Sequence, residues 1–472
     1  MPASRSNPIL LWLVAIGFFM QTLDATIVNT ALPAMARSLG ESPLRMQSVV
    51  IAYSLAMAML IPASGWLADR FGTRRIFLGA LILFSIGSLL CAYSESLSYL
   101  VASRIVQGIG GAMLLPVGRL AVLRAYPREQ FLQAMSFVTI PGLIGPLIGP
   151  TLGGWLVEYA SWHWIFLINI PIGLIGCLAT LTSMPDSRIG VDAPFDFAGY
   201  VLLTSSMVMI SLALDGLSEL GFRHATVMIL MIFGLVNLAA YWLRAVRHPS
   251  PLFSLDLFKI NSFSVGVIGN LFSRIGSGSM PFLIPLLLQV NLGYSAFQAG
   301  MMMIPVAASG ILIKRIGPPL IARVGYRPVL IVNTVLVGIT IASFSLFSER
   351  QPYWLQLVQL AVFGAVNSMQ FTAMNTLTLK DLSGPLASSG NSLLSMVMML
   401  AMSLGVAAAG GLLATFGGFF GSAPGGQSLA AFHASFVCMG LITIASAWIF
   451  WQLSPDVTSD KGAIAKDETE QG

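Results

Sequence analysis

Leu67-Ala68-Asp69-Arg70-Phe71-Gly72-Thr73-Arg74 closes one long apolar run, and Leu320-Ile321-Ala322-Arg323-Val324-Gly325-Tyr326-Arg327 closes another, 253 residues later counted from Arg70 to Arg323. A repeat at that distance implies two related halves, as in many membrane transporters. Working outward, apolar runs lie near residues 9–34, 46–68, 76–94, 97–118, 131–157, 163–183, 197–214, 225–243, 262–290, 297–313, 328–347, 353–378, 387–413 and 432–453. A helix needs about 20 apolar residues to cross a bilayer, so these predict fourteen transmembrane helices. With six in each half, the seventh and eighth form an inserted hairpin, which explains why the offset exceeds half the chain.

Composition agrees. Of 472 residues, 56% are hydrophobic and 9% charged, against about 25% charged in a soluble domain. That excludes a soluble globular protein, because so little polar surface cannot cover so large an apolar interior. The expected organisation is an all-α polytopic membrane protein with an N-terminal six-helix bundle (1–190), an inserted transmembrane hairpin with its linker (191–248), a C-terminal six-helix bundle (249–453) and a disordered polar tail (454–472). The first run is too long for a signal peptide, and thirteen others follow it.

The net charge of +5 is scattered singly between apolar runs, which gives no nucleic-acid patch. With the N-terminus in the cytoplasm, eighteen of the 24 Lys and Arg residues fall on the cytoplasmic side, four outside (Arg37, Arg45, Arg223, Arg350) and two within spans (Arg104, Arg274). The positive-inside rule therefore places both termini in the cytoplasm. Cys91, Cys177 and Cys438 sit in apolar runs and have neither disulfide nor metal spacing. The four histidines lie far apart, with no His-Glu-x-x-His and no Gly-Lys-Ser/Thr phosphate loop. This opposes a membrane enzyme or an ATP-driven pump, and no metal or cofactor is expected.

Charges at bilayer depth are functional candidates by default. Asp24 lies two thirds of the way along the first span, Arg104 in the fourth and Arg274 in the middle of the ninth. Asp24 can exchange a proton if an arginine partner moves or hydrates differently between two conformations; a fixed structural ion pair with Arg104 is the other reading. Around Arg274, Ser273-Arg274-Ile275-Gly276-Ser277-Gly278-Ser279-Met280-Pro281 predicts a kink or break at mid-membrane. Gln21, Asn29, Asn270, Gln356, Gln359 and Asn367 join Arg274 as expected cavity residues, with Thr22 and Gln370 at similar depth. In the fifth span, Gly145, Gly149, Pro150, Gly153 and Gly154 predict a tight and bent helix contact. Asp69 and Arg70, with Gly65, Gly72 and Arg74 around them, are placed to latch one conformation from the cytoplasmic side.

These residues resemble the major facilitator superfamily, and within it the fourteen-span drug:proton antiporter branch, over nearly the whole chain. Leu23 to Pro33 (LDATIVNTALP) is similar to that branch's first-helix motif, whose acid falls on Asp24. Gly65 to Arg75 (GWLADRFGTRR) resembles the loop motif that implies a latch role for Asp69 and Arg70. Arg104-Ile105-Val106-Gln107-Gly108 resembles the fourth-span motif whose arginine is linked to proton coupling. Gly145-x-x-x-Gly149-Pro150-x-x-Gly153-Gly154 resembles the antiporter motif, associated with exporters rather than importers. Ser161 to Gly173 (SWHWIFLINIPIG) resembles the sixth-span entry, with His163 where an arginine is usual, and Ala322 replaces the acid of the second-half loop.

The resemblance implies two bundles around a hairpin and a proton-coupled exporter of drugs or small organic compounds in a bacterial inner membrane. Its expected partners are a small molecule, protons and lipid, and its expected state is a monomer. One intramembrane acid against two arginines points instead to an anionic cargo, such as a carboxylate or an anionic metal chelate. An importer or facilitator on the same fold is the remaining reading, opposed by the fifth-span motif.

Overall fold

The computed structural model describes residues 8–126, 128–186, 195–220, 224–382, 384–423 and 426–453; the tail expected at 454–472 lies outside them. The helices are α1 (Pro8–Leu39), α2 (Gln47–Phe71), α3 (Thr73–Ala92), α4 (Leu97–Ala125), α5 (Arg128–Tyr159), α6 (Trp164–Leu167), α7 (Asn169–Ser183), α8 (Phe197–Leu220), α9 (Ala225–Arg247), α10 (Asn261–Leu286), α11 (Ala296–Met302), α12 (Ile304–Val324), α13 (Tyr326–Ser343), α14 (Tyr353–Lys380), α15 (Gly384–Phe420) and α16 (Leu429–Trp451). Since α6 with α7 and α11 with α12 each make one crossing, the described residues contain fourteen. All but α5 are directly long and apolar enough over their described residues to span a membrane, and α5 has 32 residues, enough by length.

The repeat has a backbone counterpart. Gly72 and Gly325, equivalent at the same offset, both adopt positive φ, +96° and +90°, as single residues separating α2 from α3 and α12 from α13. An L side chain is strained there, so glycine allows two long helices to reverse direction across one residue. Where loops are longer, side chains close the helix starts: Ser96 accepts from the Tyr99 amide, and Ser295 with Gln298 forms a reciprocal cap on α11.

Of the kink or break expected within residues 273–281, the break is absent. α10 is helical from Asn261 to Leu286 through both Pro281 and Pro285, and its irregularity comes later, as a π turn at Leu287–Asn291. Tertiary packing overrides the local preference. Gly269 meets the Phe450 ring, Gly276 meets Thr443 of α16, and Gly278 approaches Met402 of α15, so the glycines that loosen an isolated helix seat this one against its neighbours.

α1–α7 pack among themselves, as do α10–α16, while α8 and α9 pair with each other and α8 lies against α15 and α2. The hairpin is anchored at its base by Asp196, which is buried and accepts from Arg244 Nε at 2.8 Å and from the Gly199 amide at 2.9 Å. Burial pushes the Asp196 carboxyl up, but the Gly199 amide and Arg244 outweigh it and carry it below its ordinary value. A lowered folded value means stability present above the unfolded value and lost as pH falls through the folded one. Arg244→Gln is therefore expected to lower thermal stability at neutral pH by about 1–3 kcal/mol, with the gap from wild type closing below pH 4. Paired melting curves at pH 7 and at acid pH check this.

Candidate functional site

Asp24 is fully buried on α1, and three side chains donate to it. Arg104 Nη1 of α4 lies 2.6 Å from Oδ2, Gln107 Nε2 of α4 lies 2.7 Å from Oδ1, and Asn169 Nδ2 of α7 lies 3.2 Å from Oδ1. Gln107 also accepts from Arg104 Nη1 at 2.6 Å and donates to Ser88 of α3 at 2.6 Å. The Arg104 guanidinium lies 4.0 Å from the Tyr53 ring centroid of α2, and its Nε faces the Val49 carbonyl at 3.4 Å. Glycine makes this convergence possible. A Cβ at Gly87 would stand 2.5 Å from the Gln107 backbone, and one at Gly108 2.8 Å from the Tyr53 carbonyl.

An ion pair taken this far from water costs several kcal/mol per ion unless its remaining lone pairs and protons are satisfied. Here the carboxylate accepts three hydrogen bonds, which meets that condition. Protonating Asp24 would cancel the charge that balances Arg104, so a proton arriving here changes the electrostatics of five helices together, α1, α2, α3, α4 and α7. Both charges stand out in the sequence as intramembrane candidates. Gln107, Ser88, Asn169 and Tyr53 were not singled out, because an uncharged polar residue in a span reads the same whether it serves a site or bridges helices.

Arg274 lies in a separate environment on α10. Its Nε donates to Asn270 Oδ1 at 2.9 Å, and its guanidinium lies 4.4 Å from the Phe371 ring centroid of α14. One terminal nitrogen is buried without a hydrogen bond, and no carboxylate pairs with this residue among the described residues. Asn270 is fully buried and donates to the Gly266 carbonyl. Gln21 and Asn29 are buried with carbonyl oxygens unpartnered, and Asn367 is half-buried.

Gln356 and Gln359 lie elsewhere, in the first two turns of α14. Gln356 accepts from the Tyr294 hydroxyl, and Gln359 donates to the Ser343 carbonyl. Gln370 donates to Thr334 and accepts from Asn333, bridging α14 to α13.

The antiporter-type glycines make two contacts. Gly145, Gly149 and Gly153 lie against Thr22, Thr26 and Ile27 of α1, whereas Gly154 lies against the Ala296 carbonyl of α11 and Gly300 of α11 against the Pro150 carbonyl. The second contact joins the two halves at the end where α1 finishes and α2 begins. Thr151 Oγ1 to the Gly300 carbonyl at 3.2 Å and Gln289 Nε2 to the Thr30 carbonyl at 2.9 Å close the same end. At the opposite end, Asp69 pairs with Arg124 of α4, while Arg70 lies over the Trp66 ring and Arg74 is half-buried. Gly65 has open space where a side chain would stand.

Comparison with known proteins agrees with this architecture. The family model of the Major Facilitator Superfamily matches residues 14–406 and again 266–470. A protein of Serratia proteamaculans is 52% identical over 96% of this chain and 94% of its own length, and one of Pectobacterium atrosepticum is 52% identical over 94% and 96%. Both are named MdtD and provisionally described as multidrug resistance proteins. A POT family transporter solved with 5-aminolevulinic acid superposes with a TM-score of 0.69, covering 95% of this chain and 96% of that one at 16% identity, a likeness of fold.

Proposed function

Because this chain belongs to the major facilitator superfamily, and is thus a multi-pass membrane transporter rather than an enzyme, we propose that it is a proton-coupled exporter of drugs or small organic compounds. It acts as a monomer in a bacterial inner membrane, with both termini in the cytoplasm. In this reading the two bundles (1–190 and 249–453) rock about a central cavity while the hairpin (191–248) rides between them. Asp24 takes up and releases the proton, and Arg104 supplies its counter-charge. Gly154 and Gly300 close the outer end, and Asp69 with Arg124 ties the inner ends of α2 and α4 together. The carrying observation is Asp24, buried at mid-span and held by Arg104 at 2.6 Å. The membrane potential adds about 2.3 kcal/mol per charge per 100 mV to each proton that enters.

The test uses proteoliposomes with a trapped pH indicator and an imposed proton gradient, to which lipophilic cations and organic anions are added separately. Cargo-evoked proton movement is expected; cargo flux with no proton movement would overturn the reading.

A second reading, export of an anionic metabolite or metal chelate, is favoured by Arg274. Arg104 is neutralised by Asp24, whereas Arg274 has no carboxylate partner among the described residues and keeps one terminal nitrogen without a hydrogen bond. A charge-assisted hydrogen bond contributes about 1.5–3 kcal/mol, so Arg274→Ala is expected to weaken anion binding by about tenfold to a hundredfold. Titration of purified protein checks this, and unchanged affinity for every anion tested would remove Arg274 from the site.

A further inference from the structure

The three donors to Asp24 are not equivalent. Gln107 is locked: its oxygen accepts from Arg104 at 2.6 Å, so its amide cannot turn over without breaking that bond. Arg104 has only donors. Asn169 is different. Its Nδ2 donates to Asp24 Oδ1 and to Ser88 Oγ, both at 3.2 Å, while its own Oδ1 is buried with no hydrogen-bond partner among the described residues. A carboxylate only accepts, which fixes the amide in this orientation while Asp24 is charged.

Protonation reverses the requirement. A proton from the aqueous side forms an O–H bond at Asp24 Oδ1, cancels the carboxylate charge and turns an acceptor into a donor. Of the groups bonded to Asp24, Asn169 alone has a buried acceptor still empty. Rotating its amide by half a turn brings Oδ1 to the new hydroxyl, and the Ser88 hydroxyl can then donate to it instead of accepting. No heavy atom needs to leave the site. The other charged or titratable groups acting on Asp24 are Arg104 of α4, Tyr53 of α2 and Cys91 of α3; Arg104 is always a donor, and the other two make no hydrogen bond to the carboxylate among those described.

We propose that Asn169 reads the protonation state of Asp24 through a flip of its side-chain amide and passes it to the sixth crossing. The location suits that role. Asn169 opens α7 one residue after α6 ends, at Ile168, which keeps helical φ and ψ, and the Phe166 ring centroid lies 5.8 Å from the Arg104 guanidinium. Two residues one turn apart on the sixth crossing thus face the ion pair, and Asn169 is a positioning residue rather than a proton carrier. This inference rests on Asp24 being the coupling site.

The experiment is infrared difference spectroscopy of the full-length protein on acidification, with asparagine side chains isotope-labelled and the Asn169→Leu spectrum subtracted. The expected result is a shift of the Asn169 amide carbonyl band that titrates together with the Asp24 carboxylic-acid band. An Asp24 acid band with no accompanying amide shift would overturn the inference while leaving the coupling role of Asp24 intact. If Asp24→Asn does not remove the acid band, the coupling reading itself fails. In proteoliposomes, Asn169→Leu is expected to lose at least tenfold in gradient-driven transport and Asn169→Gln to recover most of it. A wild-type pH profile in a well-folded Asn169→Leu protein would also overturn the inference.

Discussion

Asp24→Asn is expected to abolish gradient-driven accumulation, to the level of protein-free vesicles, while cargo exchange at zero proton gradient continues. The substitution keeps the shape of the side chain but removes the one buried negative charge opposite Arg104. Removing one member of a buried pair costs about 3–5 kcal/mol when nothing replaces it. Here part of the cost is offset, since Arg104 keeps Gln107 Oε1, the Val49 carbonyl and the Tyr53 ring. Reduced but measurable amounts in the membrane are therefore expected, in a state that no longer responds to protons. Parallel measurement of accumulation and exchange separates a lost coupling step from a lost protein. Coupled transport by the variant would remove Asp24 from the mechanism.

Bulky residues at Gly154 and Gly300 are expected to abolish transport for a different reason. These glycines bring the α5 and α11 backbones together across the two halves, and a Cβ on either would collide with a carbonyl of the other helix. Overpacking a tight contact costs about 1–3 kcal/mol, but the cost falls only on the state in which this end is closed. A few kcal/mol applied to one of two states moves their ratio by orders of magnitude. The variant Gly154→Leu/Gly300→Leu should be held open at this end, with a cysteine placed at Thr151 becoming reactive to impermeant thiol reagents and export falling at least tenfold. Wild-type labelling and export together would show that the contact is incidental.

The fold was legible because its signals are long. Fourteen apolar runs and the repeat around Arg70 and Arg323 survive uncertainty in any single residue, and Gly72 and Gly325 repeat the same backbone turn. Charge depth was legible too, since Asp24 and Arg104 face each other. Three features were not. The unbroken course of α10 depends on α15 and α16 filling the space beside its glycines, which local propensity cannot contain. The placement of Gln356 and Gln359 depends on their partners, the Tyr294 hydroxyl and the Ser343 carbonyl, which the bounds of an apolar run do not contain. Asn169 became visible only through an oxygen without a partner, and an unmet hydrogen bond has no sequence signature.

The central claim, that Asp24 exchanges the coupled proton, is tested most directly by proton release from purified protein in weak buffer as cargo is added. The account predicts release on cargo binding by the wild type and none by Asp24→Asn at the same occupancy. Equal release by both proteins would contradict it.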